Sequence, residues 1–225
     1  MDVRVLAYTP DPLRVLYTAA RTCYSPLRPS ELWEDAVPRE QMERLVQRVF
    51  ESGHHSVLEH VSFTFALEGL SRSCSHQLVR HRLASYSQQS QRYVKGPFSY
   101  VVPPSWRRAG EGWYRRFEEA MAEMGRLYEE ALEAGIPPED ARFILPQAVT
   151  THLTMTMNLR ELMHAVGLRT CVRAQWEIRE LFEAVRGAVV EVEPFFGTFL
   201  QVKCERLGYC DERESCGRYP VRGGP

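Results

Sequence analysis

The sequence predicts a mixed α/β fold: a single domain with a central sheet flanked by helices. Segments that alternate large and small side chains interleave along the whole chain with segments of helical spacing. A chain of 225 residues with 44% hydrophobic content can bury a sizeable core. We assign residues 1–203 to this domain and residues 204–225 to a cysteine-bearing C-terminal tail.

In the N-terminal half, short strands alternate with amphipathic helices. In chain order we predict a strand at 3–7, a helix from Asp11 to about 23, a loop at 24–38, a helix around 45–50, a strand at 61–67 and a helix from 70 to about 81. Asp11-Pro12 offers an N-cap and a proline suited to the first helical position, and Gly53 suits a helix end. The side chains of 61–67 alternate in size, which is typical of a strand.

The C-terminal half follows the same alternation. We predict a loop at 96–105, a helix over 112–134, a short helix from Pro137 that ends before Pro146, a strand at 151–157, a helix from Asn158 to Arg169 and a helix over 174–192. Asn158 can cap its helix, with Glu161 reaching back as in a capping box, and Pro194 stops the last helix. The helix over 112–134 should turn one set of side chains inward: Phe117, Met121, Met124, Leu127, Tyr128 and Leu132. The end, 217–225, should be frayed.

The bulk numbers exclude several classes of protein. A formal net charge of −1 argues against a general nucleic-acid coat, which usually carries a basic excess. No apolar run approaches the length of a membrane helix, and the N-terminus carries no secretory signal pattern. We therefore expect a cytoplasmic protein whose six cysteines are free thiols, with no membrane and no nucleic-acid partner.

The segment 77–93 is rich in side chains that bind anions. It contains three arginines, a histidine and several serines and glutamines, but no acidic residue. Guanidinium groups fork onto phosphate or carboxylate oxygens, and hydroxyls and amides complete the shell. We therefore expect a site for an anionic small molecule around Arg80-His81-Arg82, Ser90 and Arg92. A solvated basic face and a nucleic-acid patch remain as alternatives, although only two tyrosines are available to stack bases.

A second cluster, Gly53 to His60, holds three histidines and one glutamate. The His-Glu-x-x-His spacing of a helical zinc pair is absent, and His55 and His60, five apart, do not share a helix face. Two readings without a metal stay open: histidines that satisfy backbone groups at a helix start, and a polar floor beneath an aromatic ring system. We predict no metal site here.

A third set comprises Arg142 and the polar side chains of the helix from Asn158 to Arg169. Arg160 and His164 lie four apart, so they share one side and can contact the same ligand. Arg169 lies near the helix end, where a cation also suits the helix dipole. A capped surface helix is the alternative interpretation.

Neither the tail cysteines nor a glycine-rich loop predicts a cofactor site. Cys204, Cys210 and Cys216 have no nearby histidine, and they lack the tighter Cys-x-x-Cys spacing of metal sites, so we expect free or structural thiols. The Gly-x-Gly-x-x-Gly pattern is missing, so a nucleotide cofactor would not be held by a Rossmann turn.

Taken together, these motifs resemble the flavin-dependent thymidylate synthases. The hallmark of that family, Arg-His-Arg followed after seven residues by Ser, is present as Arg80-His81-Arg82 and Ser90, and its extended form ends at Arg92. Further matches follow in the family's order: Gly53-His54 with Glu59-His60, Ala141-Arg142 with Leu145-Pro146, Asn158-Leu159-Arg160, Arg169 and Ala174-Gln175-Trp176-Glu177.

The resemblance implies a reaction and an assembly. Members methylate dUMP to dTMP with 5,10-methylenetetrahydrofolate as carbon donor, FAD as hydride carrier and NADPH as reductant of the flavin. Members are homotetramers with an unusual α/β fold, and each active site is shared between chains. We expect the same of this chain, with Arg142 supplied by a neighbouring chain.

The resemblance also implies roles for individual residues. Residues expected to bind dUMP are Gln77, Leu78, Val79, Arg80, Gln88, Gln89, Ser90, Gln91, Arg92, Arg142 and Arg169. Residues expected to bind FAD are His54, Ser56, Arg80, His81, Arg82, Asn158, Leu159, Arg160 and His164. Arg169 is expected to be catalytic, because a positive charge at the N3 edge of uracil stabilises the deprotonated ring.

Ser90 is expected to bind substrate rather than to attack it. A serine nucleophile needs an adjacent base, and His81 is nine positions away with no acid in the motif to orient it. Two other functions remain as rivals: a metal-dependent nucleotide-phosphate hydrolase built on the histidine cluster, and a nucleic-acid-binding module built on Arg80 to Arg92.

Overall fold

The computed structural model describes residues 1–95 and 98–222. Within these residues the strands form one antiparallel sheet in the order β1-β2-β4-β3. The strands are β1 (Asp2–Tyr8), β2 (Ser62–Ser71), β3 (Ser85–Gln88) and β4 (Thr150–Asn158). The predicted mixed α/β fold, with a central sheet and flanking helices, is confirmed.

Helices fill most of the sequence between the strands. They are α1 (Pro12–Thr22), α2 (Pro29–Glu34), α3 (Arg39–Glu51), α4 (Arg72–Leu78), α5 (Pro104–Arg108), α6 (Glu111–Glu133), α7 (Pro138–Ala141), α8 (Leu159–Arg169), α9 (Trp176–Val192) and α10 (Lys203–Leu207). Short 3-10 turns lie at His55–His60, Arg142–Ile144 and Pro194–Thr198. None of the described helices combines the length and the apolar character that crossing a membrane requires.

The residues group into two compact units, each assembled from separate stretches of chain. The first unit comprises residues 1–2, 67–80 and 86–154, and the second comprises residues 3–66, 81–85 and those from 155 onward. The predicted boundary between residues 203 and 204 is a different division, and it stays a prediction.

In the second unit, alternation along the strands and rings from the C-terminal half build the core. Phe63 and Phe65 of β2 are fully buried, while Thr64 between them is half-buried and shares a 2.9 Å hydroxyl contact with Thr156 of β4. Phe182 of α9 is also fully buried. Burying each of these large side chains contributes about 1.5–3 kcal/mol to the stability of the fold. This packing stabilises the part of the core to which α9 contributes Phe182.

In the first unit, α6 provides the largest apolar face. Phe117, Met121 and Tyr128 are buried at helical spacing, as predicted. Leu127 was also expected to face inward, but it is 49% exposed. Leu127 directly precedes Tyr128 and falls outside the buried stripe of α6, which is narrower than the apolar residues of the helix suggested.

Two predicted loops contain helices. Residues 24–38 were expected to be a loop, but α2 occupies Pro29–Glu34. Pro29 takes the first helical position and the Glu31 carboxylate accepts from the backbone N–H of Arg28, so the proline starts a helix rather than preventing one. Pro104 likewise begins α5 inside the predicted loop 96–105, of which residues 96 and 97 lie outside the described part of the chain.

The junction between β2 and α4 lies later in the chain than predicted. We expected the strand to end at 67 and a helix to begin at 70, but β2 continues to Ser71. The Ser71 hydroxyl accepts a 3.0 Å hydrogen bond from the backbone N–H of Cys74, so it caps α4 and fixes its start. The short polar strand β3 was not predicted, because Ser85–Gln88 lacks an apolar alternation.

One predicted helix cap and one predicted capping box differ from the structure. Asp11 adopts a left-handed conformation and makes no side-chain cap, although Pro12 does begin α1. Asn158 caps α8 through a 2.9 Å bond from the backbone N–H of Glu161, as predicted, but the Glu161 carboxylate contacts His81. Its expected place in a capping box was therefore wrong.

The C-terminal tail is more ordered than predicted. Cys210 and Val221 form a parallel bridge, supported by a 2.7 Å hydrogen bond from the Cys210 N–H to the Pro220 carbonyl. The expected fraying from residue 217 is therefore wrong up to residue 222. Residues 223–225 of that prediction lie outside the described residues.

Candidate active site

The predicted anion-binding segment begins where α4 ends, as the sequence indicated. Ser71 caps the helix, Leu78 is buried as its last residue, and Arg80 is exposed just beyond it. The Leu78 carbonyl accepts a 2.9 Å hydrogen bond from the Tyr86 hydroxyl, which ties the end of α4 to β3. Gln77 is half-buried and Val79 is 38% exposed.

The side chain of Gln88 holds the end of β3 in place by two hydrogen bonds. Its side-chain amide donates to the Ser75 hydroxyl at 3.0 Å and to the Thr151 hydroxyl at 3.1 Å. The next residue, Gln89, donates its backbone N–H to the His152 carbonyl at 2.9 Å. These bonds fix the end of β3 within the first unit, and the residues that follow begin from this fixed point.

One cavity of the first unit is lined by three of the predicted substrate residues. Gln89, Ser90 and Gln91 face it together with Phe98, Tyr128 and segments of β4. The Ser90 hydroxyl accepts from the Arg92 backbone N–H at 3.2 Å, so Ser90 also shapes the turn that follows β3. The cavity thus combines amides and a hydroxyl with aromatic walls.

Arg92 and Arg142 meet at the same acidic residue. The Arg92 guanidinium donates to the Glu139 carboxylate at 3.0 and 2.8 Å, and the Arg142 Nε donates to the Glu139 backbone carbonyl at 3.0 Å. Both side chains of the Arg92–Glu139 pair are 49% exposed, so a stronger anion can replace the carboxylate.

An open cleft beside Arg142 contains an arginine that sequence reasoning missed. Arg72 lines this cleft with Arg142, His76 and Gln91. Burial, and then the charge of Arg142, lower the pKa of Arg72 from its ordinary value. No carboxylate pairs with Arg72 anywhere in the described residues, so the cleft carries uncompensated positive charge suited to an anion.

In the second unit, the histidine cluster forms a 3-10 turn. The His55 Nε2 donates to the Phe50 carbonyl at 3.1 Å and its ring stacks on Phe50 at 4.7 Å, so this histidine does satisfy a backbone group. Burial lowers the pKa of His55. His54 and Ser56 are exposed. The described residues contain no group of three or more His, Cys, Asp or Glu that could hold a metal ion.

The start of α8 presents the second predicted arginine set. Leu159 is fully buried, while Arg160 and His164 are exposed on one side, as their spacing predicted. Arg160 forms an exposed ion pair with Glu59. Arg82 is exposed and pairs with no carboxylate in the described part of the chain.

His81 lies at the centre of a buried hydrogen-bonded chain. Its Nδ1 is 3.1 Å from the Glu161 carboxylate, and its Nε2 accepts from the Arg169 Nε at 3.1 Å. Burial lowers the pKa of His81, and the charge of Arg169 lowers it further against the opposing effect of Glu161. Sequence reasoning found no acid to orient His81, because Glu161 lies 80 positions away.

The tail cysteines meet a fourth cysteine. Cys171, Cys204, Cys210 and Cys216 line one largely apolar cavity of the second unit. Burial raises the pKa of the Cys204 thiol, with smaller contributions from Cys171 and Cys210. All four are free thiols, in keeping with the expected free or structural role.

The predicted site residues therefore fall into two groups by unit. The first unit holds the expected substrate residues from 77 to 80, from 88 to 92 and at 142, and the second holds Arg169 and the expected flavin residues other than Arg80. Three further side chains touch these groups and were missed: Arg72, Glu139 and Glu161. Glu161 gave a signal as the single acid of α8, but its partner could not be predicted from spacing.

Comparison with known proteins matches most of the chain to one family. A family described as thymidylate synthase complementing protein matches residues 4–195. A flavin-dependent thymidylate synthase of Nitratidesulfovibrio vulgaris is 46% identical over an alignment 235 positions long, which covers 98% of this chain and 96% of that protein. Proteins of the same name are 45% identical in Thermococcus onnurineus, over 95% of this chain and 90% of that protein, and 48% identical in Geobacter sulfurreducens, over 86% and 84%.

Proposed function

Because this chain belongs to the thymidylate synthase complementing protein family, we propose that it is a flavin-dependent thymidylate synthase that converts dUMP to dTMP. In this reaction 5,10-methylenetetrahydrofolate gives the carbon and NADPH reduces the flavin. The bound FAD supplies the hydride. The observation that carries the proposal is the motif Arg80-His81-Arg82 with Ser90 and Arg92, inside the matched residues 4–195.

The exposed donors of the second unit fit a flavin nucleotide. Arg82 has no carboxylate partner among the described residues, and Arg160 holds only an exposed one, so both guanidiniums are available to phosphate oxygens. His54 and Ser56 add exposed polar groups at the 3-10 turn. We assign FAD to these side chains together with those of Arg80 and His164. The side chains of His81 and Leu159 are buried and that of Asn158 caps α8, so for these three residues we propose contacts to FAD through the main chain.

The first unit supports the assignment of dUMP. Arg92 and Arg142 lie at one acidic residue, and a phosphate dianion attracts two guanidiniums more strongly than the exposed Glu139 carboxylate does. We assign the phosphate to these arginines and to Ser90. Further contacts to dUMP come from Gln77, Leu78, Val79, Arg80, Gln88, Gln89 and Gln91.

Arg169 is assigned to the uracil ring. Its Nε donates to His81, and within the described residues no carboxylate pairs with its guanidinium. The charge is therefore available to a ligand, and at the uracil N3 edge it favours the deprotonated ring. Loss of that proton moves electron density toward the carbon that receives the methylene group.

Ser90 serves as a contact and not as a nucleophile. Its hydroxyl is engaged with the Arg92 backbone N–H, and no histidine or carboxylate contacts it among the described residues. Nucleophilic catalysis by serine requires such a base. The protein therefore contributes placement and electric field, and the redox chemistry belongs to the flavin.

We also propose a homotetramer with active sites shared between chains, and a cytoplasmic location. The support for the shared site is membership of the family, which matches residues 4–195. Six free cysteines support a reducing compartment.

The direct test is the visible spectrum of the purified protein, followed by assay. We expect oxidised-flavin absorption, bleaching by NADPH, and conversion of dUMP to dTMP when 5,10-methylenetetrahydrofolate is present. Folded protein that stays colourless after incubation with FAD, or that converts dUMP without flavin, contradicts the proposal. Release of phosphate that is abolished by a chelator would instead favour the hydrolase.

A further inference from the structure

We propose that Glu161 is a positioning residue that orients the guanidinium of Arg169 through the ring of His81. This inference rests on the proposed function, in which Arg169 is assigned to the uracil ring of dUMP. Arg169, His81 and Glu161 form a continuous chain with two contacts of 3.1 Å. Neither His81 nor Glu161 was expected from the sequence to act on Arg169.

The hydrogen atoms along this chain follow from chemistry. The arginine Nε always carries its hydrogen, so the Nε2 of His81 must be the acceptor. A neutral imidazole whose Nε2 accepts carries its hydrogen on Nδ1. That N–H faces the Glu161 Oε1 at 3.1 Å, which is an acceptor. Glu161 therefore selects the one tautomer of His81 that can hold Arg169.

The surroundings keep His81 in this neutral form. His81 is 5% and Glu161 6% exposed, so their contact is buried, and the contact between His81 and Arg169 is partly buried. The groups that face the ring include Arg169, the Glu161 carboxylate, the His164 ring at 6.2 Å and the Phe182 ring at 5.6 Å. Burial and the Arg169 charge lower the pKa of His81, so its Nε2 remains an acceptor.

The position of Glu161 is itself fixed. It lies in the first turn of α8, where the helix dipole favours a carboxylate, and its backbone N–H is held by the Asn158 side chain at 2.9 Å. Arg169 is the last residue of the same helix. The helix α8 therefore carries both Glu161 and Arg169, and His81 bridges their side chains.

This arrangement leaves the outer nitrogens of Arg169 to the ligand. The Nε is committed to His81, so the guanidinium plane is fixed while its two Nη groups keep their hydrogens for uracil. Fixing the plane lowers the entropy that Arg169 loses when the substrate binds and reacts. Loss of Glu161 should therefore affect turnover more than the amount of FAD bound.

The test compares three variants of the holoenzyme: Glu161→Ala, Glu161→Gln and Glu193→Gln. Glu193 is a matched control, because it is also a buried carboxylate of the second unit, and it pairs with Arg39 and not with His81 or Arg169. We expect Glu161→Ala to lower kcat about ten- to hundredfold, the contribution of a hydrogen bond to a charged group. Glu161→Gln keeps an oxygen acceptor and should restore most of kcat, while Glu193→Gln should lower only the melting temperature.

A second measurement does not depend on activity. Nitrogen-15 NMR of histidine-labelled protein should show His81 as the Nδ1–H tautomer in the wild type, and a mixture in Glu161→Ala. An Nε2–H tautomer in the wild type overturns the inference, even if Glu161→Ala fails to fold. Equal kcat in Glu161→Ala and Glu193→Gln overturns it as well. A wild type with the expected tautomer but no thymidylate synthesis would instead refute the proposed function.

Discussion

At the scale of single residues, the arginines of the candidate site differ in what they hold. Arg92 and Arg160 contact exposed carboxylates, Glu139 and Glu59, which an incoming phosphate can replace. Arg169 contacts a neutral imidazole nitrogen and keeps its charge uncompensated by any carboxylate among the described residues. Under the proposed assignments, phosphate binding at Arg92 and Arg160 exchanges one anion for another, whereas no described carboxylate offsets the charge of Arg169, which we propose to face the uracil.

The exchange at Arg92 leads to a prediction for Glu139→Gln. Removing the competing carboxylate should tighten dUMP binding about two- to fivefold, the range of an exposed ion pair. The Glu139 backbone carbonyl still holds Arg142, so that arginine keeps its place. Titration calorimetry with dUMP measures the effect, and Glu133→Gln, an exposed carboxylate on α6, serves as control. Unchanged or weaker binding in Glu139→Gln would show that the pair does not compete with substrate.

The lowered pKa of His81 predicts how stability depends on pH. The folded state holds fewer protons than the unfolded chain between the lowered pKa and the ordinary value of about 6.5. The neutral form's contribution to the free energy of unfolding is therefore complete above pH 6.5, and it is lost as the pH falls toward the folded-state pKa.

Urea unfolding of the wild type, His81→Gln and His60→Gln between about pH 5 and 8 tests this sign. The loss of stability on acidification should be smaller in His81→Gln, whereas His60→Gln, which replaces an exposed histidine, should behave like the wild type. Some dependence should persist in His81→Gln, because burial also lowers the pKa of His55. Equal slopes in His81→Gln and the wild type would be incompatible with a buried neutral His81.

Residue types could be predicted from the sequence wherever the motif was continuous. Arg80, Ser90 and Arg92 stood out because cationic and polar side chains accumulated without acids. Glu139 and Glu161 did not, because their partners lie 47 and 80 positions away and no local spacing joins them. Pairs of this kind exist only after the chain has folded, so a single sequence does not reveal them.

At the scale of elements, α6 shapes one wall of the cavity that Gln89, Ser90 and Gln91 line. Tyr128 of this helix lines the cavity beside Phe98, and Gly125, one turn earlier, leaves room for the Phe98 ring. A Cβ on Gly125 would lie 2.8 Å from the Phe98 Cδ1. The absence of a side chain at Gly125 therefore allows the Phe98 ring to pack directly against the backbone of α6.

Replacing this glycine should separate helix propensity from packing. Gly→Ala in an open helix interior stabilises by about 0.5–1 kcal/mol, and Gly187→Ala in α9, which meets nothing within 4 Å, should show that gain. Gly125→Ala should instead lose about 1–3 kcal/mol to overpacking against Phe98. Thermal unfolding of both variants tests the contrast. A gain of stability in Gly125→Ala would mean that the Phe98 ring moves freely.

Elements were predictable where a periodic pattern ran for several turns. The long helices α6 and α9 and the strand β4 lie within two residues of the predicted bounds. β3 was missed because the bonds that hold it join it to residues distant in the sequence. The Gln88 side chain donates to Ser75 and Thr151, and the backbone N–H of Gln89, the residue after the strand, donates to the His152 carbonyl. α2 was missed because a proline was interpreted as a breaker, although at the first helical position it favours a helix.

At the scale of the whole molecule, the residues assigned to dUMP are divided between the two units. Arg142 belongs to the first unit and Arg169 to the second, and both are assigned to the same nucleotide. If each active site takes these two arginines from different chains, a variant that lacks one of them can be rescued by a chain that lacks the other.

Co-expression of Arg142→Ala and Arg169→Ala with different affinity tags tests this arrangement. Each variant alone should be nearly inactive, because one of the arginines assigned to dUMP is missing from every site. Random assortment into mixed tetramers should place both arginines in about a quarter of the sites, so doubly tagged enzyme should recover about that fraction of wild-type kcat with an unchanged KM for dUMP. Flavin content should match the wild type in all three preparations, which controls for folding. A mixed assembly no more active than the average of its parents would mean that one chain supplies both arginines, and a monomeric mass by sedimentation would remove the shared site altogether.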